Sequence, residues 1–372
     1  MKICYLANGK KEAIFIQRWA NYFAKKHDVS VISYHGAEGF DKSVKIYYIP
    51  ISGKSKIGKS LGFLNFIIKS RKIIKKINPD IIHAHYLTNY GFAASLINHH
   101  PFIASVYGSD VFVNPKQSIL MKFVVKRTLK KADILVPTAE FTEKYLVEKF
   151  DLPKDKIKRI SWGTDLKIFH RGYKKEVKRL KKSMKIKKGS PIVISNRSMA
   201  PIYQIEKIIE SIPYVVKKYP NAIFIFLRGS GSLEYEKKLK LLTKKLNVEK
   251  NTRFISRLIL PKEMAIFLNA SDISISMVKS DQFAHSIMES MICNTIPIVS
   301  NIEVYEQYLK DSVNAFFVNP NPKQISEKII FSLENLKLKK QFYNINKKII
   351  KENENWDKNI KNIEELYKIL LN

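Results

Sequence analysis

The chain has 372 residues, 45% hydrophobic and 11% aromatic, enough apolar material for two cores of ordinary domain size and too much for a largely disordered protein. Its 66 Lys and Arg against 33 Asp and Glu leave a formal charge of +33, which attracts anionic membranes, nucleic acids or anionic lipid-linked substrates without distinguishing them. Cys4 and Cys293 lie in separate apolar segments without a Cys-x-x-Cys or Cys/His cluster, so neither a disulfide framework nor a zinc site is expected.

The opening KICYLAN reads as a strand and carries no signal-peptide pattern. A helical run through Trp19, Tyr22 and Phe23 follows, then the strand VSVIS, the rhythm of a parallel sheet. Further strands are predicted at Lys45–Ile49, Ile81–Ala84, Phe102–Val106 and Ile134–Val136. After Trp162 the lysine-heavy stretch HRGYKKEVKRLKKSMKIKKG reads as a linker. A second cycle has strands at Pro191–Ser195, Ile223–Leu227, Arg253–Ile255, Ile273–Met277 and Ile296–Val299. Its helices are predicted at Gln204–Lys218, Leu233–Leu246, Lys262–Asn269 and Ser286–Cys293. The last helix, about Asn355–Leu371, spaces Trp356, Ile360, Ile363, Leu366, Ile369 and Leu370 helically and is expected to close the chain onto its first domain. The expected organisation is α/β: two facing doubly wound Rossmann-like domains at 1–165 and 189–350, a basic linker at 166–188 and the crossing helix at 351–372. Ligands are expected at the carboxyl ends of the strands, in the cleft between the halves.

The stretch SDQFAHSIMESMICNTIPIVS places Asp281 in a polar loop and Glu289 three residues beyond Ser286, where a helix starts. The free N–H groups and positive dipole end there, with the backbone of Ser286 and Ile287, suit a bound phosphate. Ser286 and Glu289 equally form a capping box that binds nothing. Arg197 falls at the end of the first strand of the second half, where its planar fork suits phosphate oxygens. FLRGSGS offers Gly229 and Gly231 for close backbone approach, or an ordinary turn. In the first half, Tyr107-Gly108-Ser109-Asp110 follows a strand, with Asp110 either a functional carboxylate or a helix cap. His83 and His85 end a strand and point the same way, and His85 could line the cleft; no third metal ligand is spaced nearby.

The spacing Asp-x7-Glu, followed by Ser-Met-x-Cys-Asn-x-x-Pro-Ile-Val, resembles the acidic motif of retaining glycosyltransferases of family 4, which usually reads Glu-x7-Glu. The resemblance implies the GT-B architecture and transfer of a sugar from a nucleotide diphosphate donor, without metal or cofactor. Arg197 then contacts the diphosphate, but Tyr203 stands where a partnering Lys is usual, and Arg228 beside Gly229 is its candidate substitute. A divergent group of these enzymes shows a similar Pro-Ile-Tyr together with the Asp. The family pattern assigns Asp281 to the transferred sugar, Glu289 to the ribose, and Ser256 and Arg257 to the base. Gly9 fits the family's turn after the first strand. Tyr107 replaces a usual His, which leaves Asp110 as the acceptor-orienting or base-like carboxylate, with Ser109 and His85 near the acceptor. The diphosphate itself is expected to help deprotonate the acceptor, and domain closure to exclude water.

KSKIGKSLGFLNFIIKSRKIIKKI and MKFVVKRTLKK are basic amphipathic segments that read either as surface helices or as contacts for an anionic leaflet. With the overall charge, they favour a cytoplasmic protein held peripherally on the inner membrane face, acting on a glycan or lipid-linked acceptor for a surface polysaccharide. Nucleic acid is not an expected partner. A phosphorylase or epimerase on the same fold, or a noncatalytic sugar-binding relative, are the alternatives.

Overall fold

The computed structural model describes every residue except Glu12, Lys54, Arg228, Ser230 and Asn372, and the side chain of Lys56. The chain divides into two units, Met1–Trp162 with Asn359–Asn372, and Gly163–Lys358.

Six parallel strands build the sheet of the first unit: β1 (Lys2–Leu6), β2 (Asp28–Ser33), β3 (Lys45–Tyr48), β4 (Ile81–His85), β5 (Phe102–Val106) and β6 (Ile134–Pro137). Their order is β3-β2-β1-β4-β5-β6, so the chain winds one way from β1 and then returns to β1's other edge with β4. Ile3 pairs with Val29 on one side and with Ile81 on the other. β1, β4 and β5 are buried almost throughout because helices cover both faces of a parallel sheet. Ile16, Trp19, Ala20 and Phe23 form the inward stripe of the first helix, Ile14–Phe23.

The second unit repeats the design with β7 (Ile192–Ser195), β8 (Ile223–Leu227), β9 (Thr252–Ile255), β10 (Ile273–Ser276), β11 (Ile296–Ser300) and β12 (Phe316–Val318). The order β12-β11-β10-β7-β8-β9 makes β7 and β10 the central pair, where the winding reverses. Ile205, Ile208, Ile209, Ile212 and Val215 bury one stripe of the helix Ile205–Lys218. Both units are Rossmann-like, and in each the reversal leaves a crevice at the carboxyl ends of two central strands.

The sequence-predicted strands and helices stand within a residue or two of the observed ones. β12, only three residues long, was not anticipated. The stretch read as a linker is corrected: Lys174–Ser183 is a helix of the second unit, packed against the helix Pro261–Ala270 with Val177 and Leu180 half buried. Its lysines sit on the solvent side, and charge density alone hid the short apolar stripe. Asn359–Asn372 belongs to the first unit, where Tyr367 is fully buried against Tyr5 and His83.

Candidate functional site

In the second unit, β7 runs directly into Asn196 and Arg197, and β10 leads through Asp281 to the helix His285–Ile292. Because β7 and β10 are neighbours, these two strand ends converge. Arg197 is only 6% exposed. Its Nη1 donates to Ser286 Oγ at 2.9 Å and its Nη2 lies 3.0 Å from Asp281 Oδ2. The ring of Tyr203 lies against the guanidinium, 4.2 Å from centroid to Cζ. The hydroxyl of Tyr305, itself fully buried, donates to the same Asp281 Oδ2 at 2.8 Å. Burial opposes the charge on Arg197, but Asp281 outweighs it and holds the guanidinium above its ordinary pKa. The Asn196 amide donates to the Ser286 carbonyl at 2.8 Å, a second tie between the end of β7 and the first helical turn.

Several sequence expectations change. The cap of the helix His285–Ile292 is Ala284, without a side-chain bond, so Ser286 and Glu289 do not form a capping box. Ser286 instead occupies the second helical position and accepts from Arg197. The Ile287 side chain is buried and its N–H donates to Ala284 O at 3.0 Å, so Ile287 offers no free donor to a ligand. Tyr203 lies with its ring against the Arg197 guanidinium. Arg257 is exposed and grips Glu263, with Nη1 at 2.7 Å, while Ser256 Oγ donates to Glu236. Arg228 lies outside the described residues. Glu289 is half buried on the helix that carries Ser286.

The glycines after β8 serve loop packing. Gly229 has φ +54°, and a Cβ on Gly231 would lie 2.4 Å from Met199 O, so both glycines pack against Ser198 and Met199, just after Arg197.

In the first unit, a cavity of about 380 Å³ opens at the carboxyl ends of the central strands, lined by Asn8 after β1, His35 after β2, His85 at the end of β4 and Tyr86 just beyond it, and Tyr107 after β5, with Phe15 from the first helix. Gly9, next to Asn8, packs closely on the loop after β2: a Cβ there would lie 2.1 Å from Gly36 O, and its N–H donates to Ser33 Oγ at 2.9 Å. His35 Nδ1 lies 2.9 Å from the Tyr90 hydroxyl, and both line the cavity. Tyr86 has φ 78°, a left-handed backbone that a non-glycine residue adopts at a cost of about 1–3 kcal/mol, and it opens a π-helical turn, Tyr86–Gly91. Its hydroxyl lies 3.0 Å from Ser109 Oγ.

His85 reaches the cavity wall, with Nδ1 3.2 Å from the Tyr107 hydroxyl and its ring stacked 4.5 Å from that of His83. Burial holds the His85 imidazole far below its ordinary pKa, with His83 adding to the shift, so His85 is neutral. Asp110 is corrected. Its carboxylate is fully buried and accepts from the backbone N–H of Tyr107 at 3.0 Å and of Leu87 at 3.1 Å. It braces the ends of β4 and β5 and is not among the residues lining the cavity. Burial raises it to about 6, against the pull of those N–H groups. Tyr305, His35, Tyr90 and Trp162, whose ring stacks on His85, were missed because nothing in their local pattern sets them apart.

Comparison with known proteins agrees with this geometry. The glycosyl transferase 4-like family matches residues 2–139, and the glycosyl transferases group 1 family matches residues 176–349, together most of the chain. An uncharacterized glycosyltransferase of Methanocaldococcus jannaschii is 27% identical over 267 residues, 70% of this chain and 64% of that protein, so the match spans less than two thirds of the relative's length. Alpha-monoglucosyldiacylglycerol synthase of Acholeplasma laidlawii is 22% identical over 82% of this chain and 79% of its own. The crystal structure of Anabaena HepE in complex with UDP and glucose superposes with a TM-score of 0.80 at 14% identity, covering 100% of both chains. That superposition supports a two-domain Rossmann-like fold of the GT-B kind. The chain belongs to the group 1, family 4-like glycosyltransferases.

Proposed function

We propose that the protein transfers a hexosyl group from a nucleotide diphosphate sugar to a glycan or lipid-linked acceptor, with retention at the anomeric carbon. The observation that carries this reading is Arg197, a nearly buried cation held at the winding reversal of the second unit beside the start of the helix His285–Ile292. A fixed guanidinium and a helix N-terminus together stabilise the charge that develops on a departing diphosphate. Glu289 holds the ribose hydroxyls, and the diphosphate oxygen accepts the acceptor's proton, so no protein nucleophile, metal or cofactor is assigned. The fold shared with HepE, whose structure holds UDP and glucose, supports a uridine nucleotide as the first donor to try.

The acceptor is assigned to the cavity of the first unit. Phe15, Tyr86 and Tyr107 offer faces for a sugar ring, while Asn8, His35 and Asn89 offer polar contacts. The relative named for monoglucosyldiacylglycerol synthesis supports a lipid-linked acceptor. Two basic helices support a peripheral position on the inner leaflet. Lys56–Ile77 turns Ile57, Leu61, Leu64 and Ile68 outward at helical spacing, and Ile119–Lys131 exposes Ile119, Leu120 and Phe123. Neither helix carries an acidic residue. They flank the helix Phe92–Ile97 in one layer, so both apolar rows belong to one layer of the first unit. We place the reaction in the synthesis of a cell-surface polysaccharide.

The test is a thermal-shift panel of nucleoside diphosphates and their sugar conjugates, followed by transfer assays with the donor that stabilises the protein. A base-selective shift, and a glycosylated product whose anomeric coupling matches the donor's, support the reading. Release of free sugar phosphate, or epimerised donor, assigns a phosphorylase or epimerase, and binding without turnover assigns a noncatalytic relative. Absence of any shift removes the donor site.

A further inference from the structure

Resting on the donor-site reading above, we infer that Asp281 and Tyr305 are positioning residues that act on the diphosphate through Arg197. Three groups fix the guanidinium. Ser286 and Asp281 take one Nη each, at 2.9 and 3.0 Å, and Tyr203 covers a face. Tyr305 then fixes Asp281 by donating 2.8 Å to the same oxygen that meets Arg197. The relay spans three strand ends: Arg197 follows β7, Asp281 follows β10, and Tyr305 lies in the turn Glu303–Gln307 after β11. Phe283, 5.9 Å from the Tyr305 ring, packs that ring in place.

A guanidinium carries five N–H donors, more than Ser286 and Asp281 take up. Held in one rotamer, it presents the remaining fork without losing side-chain freedom when an anion arrives. Electrostatics alone predicts the opposite of positioning. A carboxylate beside an anion site repels the anion, so removing the Asp281 charge would tighten diphosphate binding if charge were its only contribution. A loss of affinity on removing it therefore identifies the positioning role. Direct contact with the sugar would confine the loss to the sugar conjugate.

The experiment is calorimetric titration of UDP and UDP-glucose into the wild type, Asp281→Asn, Tyr305→Phe, Arg197→Gln and the doubles with Arg197→Gln. GDP and ADP with their glucose conjugates take the place of the uridine pair if the protein prefers another base. Tyr305→Phe keeps the ring and its packing, so it reports on the hydroxyl even if Asp281→Asn fails to fold. The expected result is that each single variant weakens the nucleoside diphosphate and its sugar conjugate by the same factor, roughly five- to tenfold, and adds nothing in the Arg197→Gln background. Three results would overturn the inference: a loss confined to the sugar conjugate, a gain of diphosphate affinity in Asp281→Asn, or an undiminished effect without Arg197. If the wild type binds none of these nucleotides, the donor-site reading itself fails and the inference falls with it.

Discussion

The hydroxyl of Tyr367 lies 2.7 Å from His83 Nδ1, joining residues 284 apart in sequence inside the first unit. The Tyr5 hydroxyl is 3.1 Å from the same Tyr367 oxygen, and Ser105 Oγ is 2.8 Å from His83 Nε2, so β1, β4 and β5 share one buried network with the final helix. Such networks are costly to break in part, because each deleted member leaves another without a partner. Tyr367→Phe should therefore lower stability by about 1–2 kcal/mol, read from urea melts. An unchanged midpoint would show that the network contributes nothing net.

The same network sets a pH dependence. Burial pushes His83 down to about 3 from an ordinary value of 6.5. The unfolded chain then binds a proton that the folded one refuses, so the stability His83 contributes is complete above the unfolded value and is lost as pH falls toward 3. Between pH 7 and 4.5 the loss at this residue is about 2–3 kcal/mol. His83→Gln, which keeps a donor and an acceptor, should flatten the melting midpoint over that range. A slope equal to the wild type's would place the acid sensitivity elsewhere.

Glu289→Ala should abolish detectable transfer, a loss of at least about a hundredfold, while the protein still unfolds in one cooperative transition, since the helix takes its cap from Ala284. Near-normal turnover would remove Glu289 from the donor site.

Gly9→Ala places a methyl carbon 2.1 Å from the backbone oxygen of Gly36, so one of the two loops must move. The expected cost is about 2 kcal/mol or more, with weaker acceptor use through displacement of the neighbouring cavity residues Asn8 and His35. Chemical denaturation and the acceptor KM check both parts.

Replacing Ile119, which is 90% exposed, together with Leu120 and Phe123 by Ser should cut binding to anionic vesicles by about tenfold or more and leave the melting temperature unchanged, because these side chains are largely outside the core. Cosedimentation with vesicles containing phosphatidylglycerol, compared with phosphatidylcholine alone, is the measurement. Equal binding of variant and wild type would assign the charge a different partner.

Much of the fold was legible because helix and strand periods are local. Ile205, Ile208, Ile209 and Ile212 announce a buried helical face, and runs such as Ile223–Leu227 announce a strand covered on both sides. The motif residues Arg197, Ser286 and Glu289 were legible in the same way, each at the end or start of a recognisable element. Local pattern carries no information about which strand ends become neighbours. That β7 lies beside β10 follows from the order in which the crossovers pack, and only this adjacency brings Arg197 to Asp281 and Tyr305. Asp110 shows the same limit. Its sequence setting suits a functional carboxylate, yet the tertiary structure turns it inward onto the N–H groups of Tyr107 and Leu87, because a buried charge must find donors and two strand ends supply them. The sequence by itself determined the elements and the doubled design; which polar side chains face one another was decided by packing, since those pairs are set by distance in space across residues far apart in the chain.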